Sequence, residues 1–126
     1  MTRRAPTSEE EIGLRFAWEV AGAARSNAIA LARGTALIGL GSGQTSRVDA
    51  VDVALMKAKR AGHELKSAVL ASDGFFPFAD GVTHAARAGI AAIVQPGGSM
   101  RDAEVIEEAD RLGLAMAFTD RRVFRH

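Results

Sequence analysis

The stretch AIALARGTALIGLG, residues 28–41, decides the fold. Its two apolar runs, 28–32 and 36–41, are separated by Arg-Gly-Thr, so the stretch is predicted to form a β-hairpin. RVDAVDVALMKAKRAG, residues 47–62, follows with apolar residues at helical spacing and a glycine near its end, which predicts a helix. A hairpin that leads directly into a helix indicates a domain in which strands and helices mix.

The segment before the hairpin is predicted to be an amphipathic helix over about 9–25. Ser8 followed by Glu11 has the spacing of a capping box. Ile12, Phe16 and Val20 recur at every fourth position, so we expect them to lie on the apolar face of this helix.

Downstream of the hairpin, short apolar runs alternate with helical patterns. Strands of near-continuous apolar character between helices favour a mostly parallel sheet that is covered on both faces. The predicted fold class is therefore α/β, with a three-layer arrangement around a mixed sheet. One domain is expected over residues 8–126, after a flexible polar leader at 1–7. The further strands are predicted at 67–72, 90–95 and 115–119, and the further helices at 80–88 and 101–112.

Composition excludes several classes of function. The 126 residues carry a net charge of +1, which predicts neither a nucleic-acid nor a membrane partner. The chain has no cysteine, which excludes disulfides and thiolate metal sites and is compatible with a reducing cytoplasm. Three scattered histidines make a weak case for a metal, so no metal site is predicted.

Four segments that leave predicted strands have unusual composition. Ligands of α/β sheets gather beyond the carboxyl ends of the strands, and these four segments are expected to meet at one such edge. Each also has a plain interpretation: a glycine turn with Ser46 as a helix cap, a loop whose rings enter the core, a tight turn, and a solvated basic tail. The segments are GSGQTSR (41–47), SDGFFPFADG (72–81), QPGGSMRD (95–102) and TDRRVFRH (119–126).

Five motifs resemble one family in the same order and spacing. SNAIALA, GLGSGQTSRVDA, ASDGFFPFADG, IVQPGGSMRDAEVIEEAD and FTDRRVFRH resemble the C-terminal part of the bifunctional purine-biosynthesis family PurH. That family joins an aminoimidazole carboxamide ribonucleotide (AICAR) formyltransferase to an IMP cyclohydrolase. The resemblance runs from about residue 14 to His126 and implies a cytidine-deaminase-like fold, the second of two such halves. Without cysteine, the zinc site of the deaminases is excluded.

The resemblance also implies a pocket for AICAR and the co-substrate 10-formyltetrahydrofolate. Asn27 would lie beside the reacting amine and formyl group as an orienting partner. Arg47 would face the folate, Phe75 would contact the ligands, and Asp80 would lie at the pterin. Gly74 stands where the family often has alanine, which predicts a less stiff loop.

The last residues of the chain would complete the same pocket. The resemblance implies that Arg122 binds the 5′-phosphate of the nucleotide, which suits a guanidinium fork, and that Phe124 and His126 close the pocket.

Two departures from the family limit the function that is predicted. The family's catalytic Lys-His pair lies in the first half, and no Lys-His dipeptide occurs here. No cyclohydrolase domain is expected within these 126 residues either. Three alternatives stay open: a subunit of a split formyltransferase whose partner chain carries the first half, a fragment of a longer enzyme, or a stand-alone module that binds a nucleotide or folate. The chain is expected to be inactive alone.

A homodimer is expected from the apolar surface. Leu14, Phe16 and Trp18 point in different directions from one helix, which cannot bury all three against its own sheet. The PFADG loop is apolar and would be exposed in a monomer.

Overall fold

The computed structural model of the chain describes residues 2–119; Met1 and residues 120–126 lie outside the described part. The hairpin and the alternating strands and helices are present at the predicted places. The helices are α1 (Ser8–Ala23), α2 (Arg47–Arg60), α3 (Asp80–Ala88) and α4 (Asp102–Arg111), and the strands are β1 (Ile29–Arg33), β2 (Ala36–Gly41), β3 (Val69–Ser72), β4 (Ala92–Gln95) and β5 (Ala115–Phe118).

The strands form one mixed sheet in the order β2-β1-β3-β4-β5. β1 is antiparallel to both β2 and β3, whereas β3, β4 and β5 are parallel. The fold class predicted from the sequence is confirmed: an α/β domain with a mixed sheet between layers of helices.

Alternate residues of β1, β3, β4 and β5 enter two separate cores. Ile29 and Leu31 of β1 pack with residues of α2, α3 and α4, whereas Ala30 and Ala32 pack with residues of α1. Three helices therefore cover one face of the sheet and one helix covers the other. Because both faces are buried, the strands are apolar at nearly every position, which explains the continuous runs in the sequence.

The buried face of α1 differs from the prediction. Gly13, Leu14, Ala17 and Ala21 are buried, whereas Ile12 is 55% exposed. The helix lies so close to the sheet that an ideal Cβ on Gly13 would be 2.8 Å from Cγ2 of Val69. Small residues therefore occupy the contact. Phe16, Trp18 and Val20 are partly buried at its margin, so more of the aromatic surface of α1 is covered than the sequence suggested.

The cap of α1 is also shifted by one residue. The capping box is formed by Thr7 and Glu10, not by Ser8 and Glu11. The backbone N–H of Glu10 donates to Oγ1 of Thr7 at 3.1 Å, and that of Thr7 donates to Oε1 of Glu10 at 2.9 Å. Thr7 and Ser8 are followed by three consecutive glutamates, so the sequence allows a capping box that starts at either residue. In the structure it starts at Thr7.

The polar leader, expected to be flexible, makes specific hydrogen bonds to the sheet. The backbone N–H of Met116 donates to Oγ1 of Thr2 at 2.9 Å. The guanidinium of Arg4 donates to the carbonyl oxygens of Ala91 and Gly113, which precede β4 and β5. These bonds fasten residues 2–4 at the edge of the sheet where those two strands begin.

The direction of β1 determines which loops meet at the opposite edge. Because β1 is antiparallel to its neighbours, Ile29 at its start pairs with Gly41 at the end of β2 and with Ser72 at the end of β3. The segments after β2, β3 and β4 therefore meet at one edge, as predicted, and Asn27 joins them there. The fourth predicted segment begins there with Thr119, and its remainder lies outside the described residues.

Candidate functional site

Arg47 lies at the centre of this edge. It is the first residue of α2, directly after the cap Ser46, whose hydroxyl accepts a hydrogen bond from the backbone N–H of Asp49 at 3.1 Å. Nη1 of Arg47 donates to Oδ1 of Asp73 and to the carbonyl oxygen of Ala28. Nη2 donates to Oδ1 of Asn27 at 2.7 Å. The guanidinium thus joins the start of β1 to the end of β3.

Asp73 is the anion that balances this buried cation. The side chains of Arg47 and Asp73 are only 11% and 13% exposed. Oδ1 of Asp73 also accepts from the backbone N–H of Ala28 at 3.0 Å. Burial raises the pKa of the Asp73 carboxyl, but hydrogen bonds from Ala28 and Ser26 and the charge and hydrogen bond of Arg47 outweigh it, so the pKa is lowered.

The orientation of the Asn27 amide follows from its two partners. Oδ1 accepts from Arg47, and Nδ2 donates to the carbonyl oxygen of Gln44 at 3.1 Å. A guanidinium can only donate and a carbonyl can only accept, so the oxygen and nitrogen of this amide are assigned by the network. One N–H of Nδ2 has no partner among residues 2–119.

Asn27 and Arg47 line a cavity of about 370 Å³ at this edge of the sheet. A second cavity of about 260 Å³ adjoins it and shares Ser46, Arg47 and Pro77. A third, of about 340 Å³, includes Trp18 and shares Gly74 and Phe75 with the first. The further lining residues are Thr45 in the first cavity, Val48, Phe76, Phe78, Asp80 and Gly81 in the second, and Asp73, Pro96, Gly97, Gly98 and Thr119 in the third.

The 72–81 loop places one of its three phenylalanines in the core and leaves the other two exposed, so it fits both the core interpretation and the ligand interpretation of this segment. Phe76 is 1% exposed and belongs to the larger core, whereas Phe75 is 44% and Phe78 is 53% exposed. The backbone N–H of Phe76 donates to Oε1 of the buried Gln95 at 3.3 Å. The guanidinium carbon of Arg101 lies 5.1 Å from the centroid of the Phe78 ring. One ring therefore anchors the loop and leaves two rings at the cavities.

Asp80 begins α3 at the second cavity. Its side chain accepts a hydrogen bond from the backbone N–H of Gly81 at 3.1 Å, and the residue is exposed. Asp80 of α3 and Arg47 of α2 line the same cavity, so a ligand there would contact a carboxylate and a guanidinium.

The glycine pair of the 95–102 segment forms a turn closed by a side chain of the protein. The backbone N–H groups of Gly98 and Ser99 donate to the carboxylate of Asp102 at 2.8 and 3.1 Å. These amides already hold an anionic group, which favours the tight-turn interpretation of this segment over an anion site.

Gly74 has a closer connection with Arg47 than the sequence indicated. An ideal Cβ at position 74 would overlap Nη2 of Arg47. The guanidinium is fixed by Asp73 and Asn27, so it could not move aside without loss of those bonds. Glycine at position 74 therefore leaves room for the hydrogen bonds of Arg47 to Asp73 and Asn27.

Four of the seven predicted site residues are brought together at this edge: Asn27, Arg47, Phe75 and Asp80. The other three, Arg122, Phe124 and His126, lie outside the described residues. Asp73 was missed, because an aspartate before a glycine is usual in a turn. Its position directly after a buried strand was the signal that could have identified it. No metal-binding cluster and no helix able to cross a membrane occur within residues 2–119.

Comparison with a solved structure defines the class of fold. The chain is similar to a diaminohydroxyphosphoribosylaminopyrimidine deaminase/5-amino-6-(5-phosphoribosylamino)uracil reductase from Thermotoga maritima, with a TM-score of 0.55 and 16% identity. The match covers 87% of this chain and 33% of the other. At this identity the similarity shows the fold alone, and that fold is cytidine-deaminase-like.

Sequence comparison shows the relationship more closely. The family model of the AICARFT/IMPCHase bienzyme matches residues 1–57. The bifunctional purine biosynthesis protein PurH of Jannaschia sp. (strain CCS1) is 55% identical over 133 aligned residues, which include the whole of this chain. The chain is therefore PurH-like, and it spans about 25% of the length of that relative.

Proposed function

We propose that the edge around Asn27 and Arg47 is the part of an AICAR formyltransferase site that binds AICAR and 10-formyltetrahydrofolate. The observation that carries the proposal is that Asn27, Arg47 and Phe75 line one cavity in a chain that is PurH-like over its whole length. The family's Lys-His pair would come from another chain or from another part of a longer enzyme.

The roles of the four described residues follow from their surroundings. Asn27 has an unpartnered N–H, so it would donate to the formyl oxygen, where negative charge develops as the amine attacks. Arg47 already balances Asp73, and Nη1 uses both of its N–H groups, so Arg47 would offer the folate the second N–H of Nη2 rather than an uncompensated charge. The exposed ring of Phe75 would pack against a flat ligand ring.

The second cavity has the character that a pterin requires. Phe76, Pro77 and Phe78 supply apolar surface, and Asp80 supplies a carboxylate at the rim. A carboxylate accepts hydrogen bonds, and the amino-pyrimidine edge of a pterin donates them. The folate is therefore assigned to this cavity, with Arg47 between it and the cavity at Asn27.

The proposed reaction transfers the formyl group from 10-formyltetrahydrofolate to the amine of AICAR. The C–N bond to the folate nitrogen breaks, a new C–N bond forms to the amine, the amine loses a proton and the folate nitrogen gains one. A positioned general base contributes about a hundred- to ten-thousand-fold to such a step. The Lys-His pair is absent here, so the isolated chain is expected to bind without turnover.

Titration calorimetry with AICAR and with 5-formyltetrahydrofolate, a stable formyl folate, tests this function. We expect measurable binding of at least one of them to the wild-type chain and weaker binding to Asn27→Ala. His63→Ala is the matched control, because His63 lies beyond the far end of α2. No binding of either ligand at millimolar concentration would contradict the proposal.

An activity assay separates the remaining alternatives. Turnover of AICAR and 10-formyltetrahydrofolate by the chain alone would contradict the assignment of the base to another chain. Binding without turnover that is not restored by a chain carrying the family's first half would favour a stand-alone binding module.

A further inference from the structure

We propose that Asp73 is a positioning residue: through the guanidinium of Arg47 it fixes the side-chain amide of Asn27 with its nitrogen available to a ligand. The proposal rests on the proposed function for its consequence on binding. The positioning itself can be tested without any ligand.

A continuous series of hydrogen bonds links the three residues. Oδ1 of Asp73 accepts from Nη1 of Arg47, and Nη2 of the same guanidinium donates to Oδ1 of Asn27 at 2.7 Å. The guanidinium is planar and rigid, so holding one of its terminal nitrogens fixes the direction of the other. Asp73 therefore determines where Arg47 presents the donor that Asn27 accepts.

Asp73 fixes the backbone next to Asn27 as well. Its carboxylate accepts from the N–H of Ala28 at 3.0 Å, and its own N–H donates to the carbonyl oxygen of Ala28 at 3.1 Å. The same carbonyl accepts from Nη1 of Arg47 at 3.4 Å. The start of β1, the end of β3 and the start of α2 are thus joined by one carboxylate.

The orientation of the Asn27 amide has a chemical consequence. If Arg47 moved away, Oδ1 of Asn27 would lose its donor, and only the bond from Nδ2 to the carbonyl oxygen of Gln44 would oppose rotation of the amide. The rotated amide would present oxygen where the ligand's formyl oxygen requires a donor, which replaces an attraction by a repulsion. The carboxylate at position 73 therefore favours, through Arg47, the orientation in which the Asn27 nitrogen donates to the ligand.

Nuclear magnetic resonance of the ligand-free chain tests the positioning. In the wild type, the Nη–H signals of Arg47 are expected to be resolved and slow to exchange, because their rotation is restricted by three hydrogen bonds. In Asp73→Asn they should broaden, and the Asn27 side-chain signals should shift, whereas the Arg4 signals stay unchanged. Unaltered Arg47 and Asn27 signals would overturn the proposal. If this variant does not fold, acidification of the wild type, which protonates Asp73, gives the same comparison.

A double-mutant cycle tests the consequence for binding. Asp73→Asn should weaken binding of 5-formyltetrahydrofolate about tenfold, which corresponds to the usual coupling energy between two residues that contact each other, here Asp73 and Arg47. In the Arg47→Gln background the same change should weaken binding less, because the contribution through Arg47 is already lost and only the bond from the Ala28 N–H remains to be affected. Glu10→Gln, which breaks a carboxylate–arginine pair outside the site, should lower the melting temperature without weakening binding. Equal losses in both backgrounds would show a general structural role and overturn the proposal. Absence of wild-type binding would instead contradict the proposed function, and the ligand-free spectra would still decide the positioning.

Discussion

Nη2 of Arg47 donates to Oδ1 of Asn27 at 2.7 Å, although the two residues lie 20 positions apart in the sequence. Asn27 precedes β1, and Arg47 opens α2, which follows the second strand of the hairpin. The contact exists because β1 runs antiparallel to both of its neighbours, so that its start lies among the carboxyl ends of the other strands. The topology of the sheet therefore creates the site edge, and the hydrogen bonds of Arg47 organise it.

Phe75 and Phe76 are adjacent, and their replacement by alanine should have different effects. Phe76→Ala should destabilise the fold by about 3–5 kcal/mol, because its buried ring would leave a cavity. Phe75→Ala should leave stability within about 0.5 kcal/mol, since its ring is at the surface, and should weaken ligand binding. Urea unfolding and calorimetry on both variants measure the two effects. A loss of stability in Phe75→Ala equal to that in Phe76→Ala would show that the two rings do not have the distinct roles inferred.

Gly13 and Gly22 lie on the same helix and should respond differently to alanine. Gly13→Ala should destabilise by about 1–3 kcal/mol, because the new methyl group would press on Val69. Gly22→Ala meets nothing within 4 Å and should stabilise by about 0.5–1 kcal/mol through helix propensity. Thermal unfolding compares the two. Stabilisation by both changes would contradict the close packing of α1 on the sheet.

The contribution of Asp73 to stability should disappear in acid. The pKa of its carboxyl is lowered below the usual 3.8, so its stabilising contribution is complete above that value and is lost as the pH falls through the lowered pKa. Asp73→Asn should cost at least about 1 kcal/mol at pH 7. The difference in the free energy of unfolding between wild type and variant should disappear below pH 3.8, the usual pKa of this carboxyl. Urea unfolding across this range measures the difference, and a difference that is constant with pH would exclude ionisation of Asp73 as its cause.

The oligomeric state is a further prediction. Ile12, Leu37, Phe75 and Phe78 are exposed, and a twofold dimer is the commonest way to cover apolar surface. Sedimentation equilibrium at micromolar concentration should give a mass near twice the 13.3 kDa of the chain. A monomer with no concentration dependence would contradict the dimer and would favour the stand-alone binding module.

The sequence predicted the strands and helices closely because their apolar periods and glycine stops are local signals, as with α3, which begins at Asp80 and is followed by Gly89. The prediction of the buried face of α1 was wrong because the size of Ile12 suggested burial, whereas the close approach of the helix to Val69 requires small residues. The separate roles of the phenylalanines in 72–81 have no local signal, since they depend on Gln95 from another strand. The role of Asp73 likewise depends on Arg47, 26 positions away in the sequence.

Chemical-shift mapping with 5-formyltetrahydrofolate is the most direct test that this edge binds the folate. The proposed site predicts that backbone amide signals move for Asn27, for residues 45–48 and for the non-proline residues of 74–81, where the first two cavities lie. Signals around Thr7, Arg33 and Ser67, which line a cavity of about 250 Å³ elsewhere, should stay in place. Movement confined to that second group, or no movement at millimolar ligand, would contradict the site.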